Sequence, residues 1–178
     1  GGTFKMGAQS EAANADNYDK DAYNDDKPVH AVTLSDYYIG ETEVTQELWN
    51  AVMGTKYFNS NDEAVIYMSW EKGNEFIEKL NELTGKNFRF PTEAEWEYAA
   101  RGGKKSKGYK YSGSNNIEDV AWFGEDNYNG SVKKKKSNEL GIYDMSGNVW
   151  EWCQDMYARY NSSPQTNPKA TTGSYHVY

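Results

Sequence analysis

Between residues 140 and 152 the chain reads Leu-Gly-Ile-Tyr-Asp-Met-Ser-Gly-Asn-Val-Trp-Glu-Trp, so that two carboxylates, Asp144 and Glu151, flank a Ser146-Gly147-Asn148 turn. Gly and Asn tolerate the positive φ such a turn needs, which lets backbone carbonyls point inward beside the two side chains. Hard oxygen donors on a short, bent segment suit Ca²⁺ better than a softer ion. The plain alternative is a hairpin turn whose carboxylates cap backbone N–H groups.

Other reactive side chains form no comparable pattern. Cys153 is the only cysteine, which excludes an internal disulfide and a thiolate pair, and its expected role is that of a buried or half-buried small hydrophobe. His30 and His176 are far apart and show no metal-ligand spacing. There is no nucleophile-elbow sequence, and neither Gly1-Gly2 nor Gly102-Gly103 has the strand, helix and Lys of a phosphate loop. Glu93, Glu95 and Glu97 stand in the first turns of a predicted helix, where acids complement the helix dipole, with Arg89 and Arg101 as expected partners. Asp16, Asp19, Asp21, Asp25 and Asp26 lack the EF-hand spacing, and Lys133 to Lys136 sit on an acidic chain, so a solvated loop and a solvated turn are expected.

Three helices are predicted around these groups. Thr45 caps the first, with Leu48, Trp49, Val52 and Met53 at helical spacing. Ser69 caps the second, in which Trp70, Gly73, Phe76, Ile77, Leu80 and Leu83 make one apolar stripe closed by Gly85. Thr92 and Glu95 form the capping box of the third, which runs toward Arg101 and Gly102-Gly103. Strands are predicted at 2–6 and 30–34, at 37–39 as hairpin partner of 30–34, at 119–123, and at 174–178. Residues 8–27, most of 104–138, and 160–173 read as loop.

At 178 residues the chain suits one domain, spanning 1–178, with a core of its own. Its hydrophobic share is 37%, but 15 Tyr, 6 Trp and 6 Phe make that core largely aromatic, with Trp70, Trp96, Trp150 and Trp152 expected inside. A net charge of −8 disfavours nucleic-acid binding. No apolar run approaches the roughly 20 residues of a membrane span. The chain begins at Gly1, and a processed or trimmed domain is the expectation.

The 140–152 stretch resembles the signature of the formylglycine-generating enzyme, or sulfatase-modifying-factor, family. Four further blocks occur in the matching order: Gly-Gly-Thr-Phe-Lys-Met-Gly (1–7), Pro-Val-His-Ala-Val-Thr-Leu (28–34), Tyr-Ile-Gly-Glu-Thr-Glu-Val-Thr (38–45) and the run from Phe88 through Pro91 and Trp96 to Gly103. The resemblance implies an α+β, loop-rich variant of the C-type lectin fold, with short antiparallel sheets and two to three helices. It also implies a structural Ca²⁺ on Asp144, Gly147, Val149 and Glu151, the first and last through side chains and the middle two through backbone carbonyls. Relatives often have Asn at the position of Asp144, and the added charge here tightens the site. Where Ala64 stands, relatives usually carry Pro.

The family's best-known activity is copper-dependent oxidation of a substrate cysteine, using two cysteines well beyond the Gly-Asn-Val-Trp-Glu-Trp run. Cu(I) is selected by soft sulfur, and one thiol cannot supply that pair. Two readings follow from the resemblance. One is a calcium-stabilised, non-catalytic binding or scaffolding module, in a cell-envelope or secreted setting, for a protein or carbohydrate ligand. The other is the N-terminal part of an oxidase acting on sulfatase cysteines, since relatives continue into an Arg-Gly-Gly-Ser-Trp strand and the catalytic pair beyond it.

Overall fold

The computed structural model describes residues 1–124 and 130–178; the stretch 125–129 of the expected 104–138 loop lies outside them. Strand β1 (Gly2–Met6) runs antiparallel to β2 (His30–Leu34), from Gly2 opposite Leu34 to Met6 opposite His30. The other edge of β2 takes a two-residue parallel strand, β3 (Gln165–Thr166). Both strands alternate as their sequences do: Met6, Val32 and Leu34 are buried on one face and pack with Ala94 and Tyr98.

The three predicted helices form where their caps place them. In α1 (Gln46–Met53) the Thr45 hydroxyl accepts from the Leu48 N–H at 3.2 Å, and in α2 (Trp70–Thr84) Ser69 accepts from Lys72 at 3.3 Å. Their apolar faces meet in a second core in which Trp49 stacks on Phe76, 5.1 Å between ring centres. Gly73, odd in a helix interior, has a packing cause: a Cβ there would lie 2.4 Å from the Phe90 ring. Leu83, counted in the stripe by its spacing, is exposed instead. In α3 (Glu93–Ala100) Thr92 and Glu95 make the reciprocal capping box, and the helix end packs with Ile142 and Met145 in a third core.

Five expectations need correction. Residues 37–39 form no strand; both edges of β2 are taken, and Tyr37 is held by its hydroxyl, which donates to the Glu95 carbonyl at 2.7 Å. The predicted strand at 119–123 begins as a one-turn helix, α4 (Ile117–Val120), because the Asp119 carboxylate accepts from Ser114 and Asn116 and folds the chain back on itself. Residues 174–178 make only an isolated bridge between His176 and Met156. The sheet is mixed rather than antiparallel throughout, and α4 makes a fourth helix. No described helix is long and apolar enough to cross a membrane.

Candidate metal centre and adjoining cleft

The 144–151 segment departs from regular structure where its sequence invites it. Asp144, Gly147 and Asn148 have φ of 59°, 121° and 65°, conformations that Gly, Asn and Asp adopt at least cost. The turn is pinned from outside: the Asn148 N–H donates to the Trp122 carbonyl at 2.9 Å, and the Ser146 hydroxyl accepts from the Ser112 N–H at 2.9 Å. Among the described residues the Gly147 and Val149 carbonyls accept no hydrogen bond, so both remain free as donors of electron pairs.

Three carboxylates face this turn. Asp144 is buried, and its Oδ2 accepts the Lys133 backbone N–H at 2.8 Å; burial raises its pKa and that hydrogen bond partly offsets the rise. Burial pushes Glu151 up to about 7, with the Asp144 charge adding to it, while the neighbouring Trp96 indole favours the charged form without reaching a regular hydrogen bond. Glu43, from the segment ahead of α1, is pushed up to about 8 by burial and then by Glu151. Its Oε1 accepts from the Asn148 side-chain amide at 3.0 Å, whereas Glu43 Oε2 and Asn148 Oδ1 are buried with no partner among the described residues. Neighbouring cations are committed elsewhere: Lys133 pairs with Glu41 at 2.7 Å, Lys134 with Asp62 at 2.8 Å and Arg101 with Glu97 at 2.6 Å.

Buried acceptors without donors and carboxylates without a counter-charge make a donor set that fits a hard cation. Among the described residues no three His, Cys, Asp or Glu side chains already gather as a metal cluster, so an ion here needs the neutral carbonyls as well. Cu(I) does not fit. The lone thiol of Cys153 is buried, and burial followed by the charges of Glu93, Asp155, Glu151 and Glu95 raises its pKa far above the ordinary range.

Beside the turn lies a cleft of about 700 Å³, walled by Trp96, Trp122, Phe123, Trp150 and Tyr178. Trp150 is not buried as its aromatic character suggested; it is 83% exposed. Side chains alternate along an extended segment, so turning Glu151 inward sends Trp150 outward, where its ring meets Tyr178 edge-on at 5.6 Å. Trp70, Trp96 and Trp152 are partly buried. The indole N–H of Trp70 donates to the Cys153 carbonyl at 3.1 Å and that of Trp152 to Met68 at 2.8 Å.

The remaining candidates are structural, as their sequence settings suggested. Arg89 grips Glu95 with two bonds of 2.7 Å, Glu97 accepts the Gly7 N–H, and the Tyr160 hydroxyl donates to Glu93 at 2.7 Å. His30 is buried against Pro28 and Tyr160, and His176 stacks on Trp70 at 3.8 Å. The lysine run is a solvated turn at Lys133, Lys134 and Lys136, as expected, while Lys135 sits 4.0 Å over the Trp122 ring. Sequence reasoning missed Glu43. The only signal was an acid within the 38–45 block; a partner 105 positions away is not visible in local spacing.

Comparison with known proteins agrees with this architecture. The description "Sulfatase-modifying factor enzyme 1-like domain" matches residues 1–178. The chain is 37% identical to the chaperone protein LppX of Paenibacillus barcinonensis, over 83% of this chain and 69% of that protein. It is 33% identical to the formylglycine-generating enzyme of Streptomyces coelicolor, over 58% of this chain but only 36% of the enzyme. Among solved structures, Treponema denticola variable protein 1 superposes with a TM-score of 0.75 at 31% identity, covering 98% of this chain and 80% of the other. With its full length matched and its fold shared, the chain belongs to the sulfatase-modifying factor family and carries the α+β fold of the formylglycine-generating enzymes.

Proposed function

We propose that this chain is a calcium-stabilised, non-catalytic binding or scaffolding module. Asp144 and Glu151 hold the ion through side chains and Gly147 and Val149 through carbonyls, and the ion fixes the base of the aromatic cleft that Trp150 presents to a protein or carbohydrate ligand. The observation that carries the non-catalytic reading is the state of Cys153: it is the only thiol in the sequence, it is 3% exposed, and it lies among carboxylates that disfavour the thiolate. A cysteine oxidase of this family needs two thiols at an accessible copper site.

A second reading is favoured by the likeness to the Streptomyces coelicolor enzyme, of which the chain matches about a third of the length: residues 1–178 would then be part of a copper-dependent oxidase whose cysteine pair lies outside them. One experiment separates the two. The chain is incubated with Cu(I), oxygen and a cysteine-containing sulfatase peptide, and the peptide is weighed for conversion of thiol to aldehyde. The proposal expects an unchanged peptide for residues 1–178 and for any longer protein that contains them; conversion by a longer protein alone selects the oxidase reading, and conversion by residues 1–178 overturns the proposal.

A further inference from the structure

We propose that Glu43 is a further ligand of the cation held by the 144–151 segment, with the Asn148 side-chain oxygen beside it. This rests on the calcium reading above and extends it, since Glu43 lies outside the turn and outside the four-residue donor set.

The hydrogen bond from Asn148 Nδ2 to Glu43 Oε1, 3.0 Å long, fixes which end of the amide faces which way. It leaves Asn148 Oδ1 and Glu43 Oε2 as two acceptor oxygens, both buried and both without a hydrogen-bond partner among the described residues. A buried acceptor with no donor is rare because nothing replaces the water it lost. Two of them sharing one hydrogen-bonded pair, next to Glu151, call for a proton or a positive charge rather than another acceptor. No described Lys or Arg provides it: none of the ion pairs reaches Glu43, Asp144 or Glu151. A divalent cation answers the orphan oxygens and the uncompensated carboxylates together.

The three carboxylates do not already gather as a metal cluster, so the Glu43 side chain closes in when the ion binds. The ion then fastens the segment ahead of α1 to a turn about a hundred residues later in the chain, which explains why an acid is buried so close to the Thr45 cap.

Terbium, a calcium substitute sensitised by nearby Trp96 and Trp122, reads this directly. Luminescence lifetimes in H₂O and D₂O count the waters on the bound ion, and calcium competition gives affinity. Glu43→Gln, which keeps the contact to Asn148, is expected to weaken Ca²⁺ about tenfold and to add about one water to the ion, as loss of one oxygen ligand requires. Glu41→Gln, whose carboxylate is exposed and paired with Lys133, is expected to change neither. Hydrogen exchange on the unaltered chain provides a check that needs no variant: Ca²⁺ is expected to slow exchange at residues 41–45. If the unaltered chain binds ion but Glu43→Gln keeps its affinity and water count, or residues 41–45 gain no protection, the Glu43 assignment is overturned and the calcium reading stands. If the unaltered chain binds neither ion, both are overturned.

Discussion

Gly147 runs so close to Trp122 that a Cβ at residue 147 would lie 2.3 Å from the Trp122 carbonyl oxygen. That oxygen already accepts the Asn148 N–H, so the turn and the 121–123 segment are locked edge to edge. Gly147→Ala must therefore push the two backbones apart and force a side chain to a φ of 121°. The expected cost is about 1–3 kcal/mol, read as a lower denaturant midpoint with an unchanged m-value. Calcium affinity is expected to fall with it, because the Gly147 carbonyl is displaced.

Cys153 is expected to be inert in the folded chain. Its thiol is buried among Glu93, Asp155, Glu151 and Glu95, so neither access nor thiolate is available. Iodoacetamide is expected to leave it unlabelled under native conditions and to label it fully in guanidinium. Cys153→Ser is expected to cost about 1–2 kcal/mol through a buried hydroxyl, with no other loss; rapid native labelling would contradict the burial argument.

Glu93 gives the fold a pH dependence. Burial first, then the charges of Asp155, Glu97 and Asp26, raise its pKa from 4.5 to about 7, against the lowering effect of the Tyr160 hydroxyl. Because the folded value lies above the unfolded one, the native state holds the extra proton between those two pH values. The contribution of Glu93 is therefore fully present below about pH 4.5 and is lost as pH rises through 7. Chemical denaturation between pH 5 and 8 is expected to show stability falling with pH, and Glu93→Gln, which keeps an acceptor for Tyr160, is expected to flatten that part of the slope.

The sequence made the helices legible because their ends are written in side chains. Thr45, Ser69 and Thr92 each satisfy a free N–H by a bond three residues long, and such bonds do not depend on the rest of the fold. β1 and β2 were legible for the same reason, through alternation within five residues. The pairing was less legible: β3 has two residues inside a run of Ser, Pro and Asn, and nothing local to Gln165 and Thr166 says they meet Val32 and Thr33. Trp150 was misplaced because aromatic character does not say which face a ring takes; the alternation set by Glu151 decides that. The proposed site divides the same way: Asp144 and Glu151 stand out in one short segment, Gly147 and Val149 join them only through the family resemblance, and the meeting of Glu43 with Asn148 is visible only once the chain is folded.

Thermal melts with millimolar Ca²⁺ or excess chelator, alongside elemental analysis of the purified chain, decide whether the 144–151 segment holds Ca²⁺ as proposed. An ion bound only by the native state adds RT ln(1 + [L]/Kd), roughly 2.7 kcal/mol at a hundredfold excess over Kd. The midpoint is expected to be several degrees higher in Ca²⁺ for the unaltered chain, at about 2–4 °C per kcal/mol for a domain near this size, and the difference is expected to shrink sharply in Glu151→Gln. Identical midpoints with and without Ca²⁺ for both chains, and no ion found by elemental analysis, would contradict the account and leave the segment as a hairpin turn held by its own hydrogen bonds.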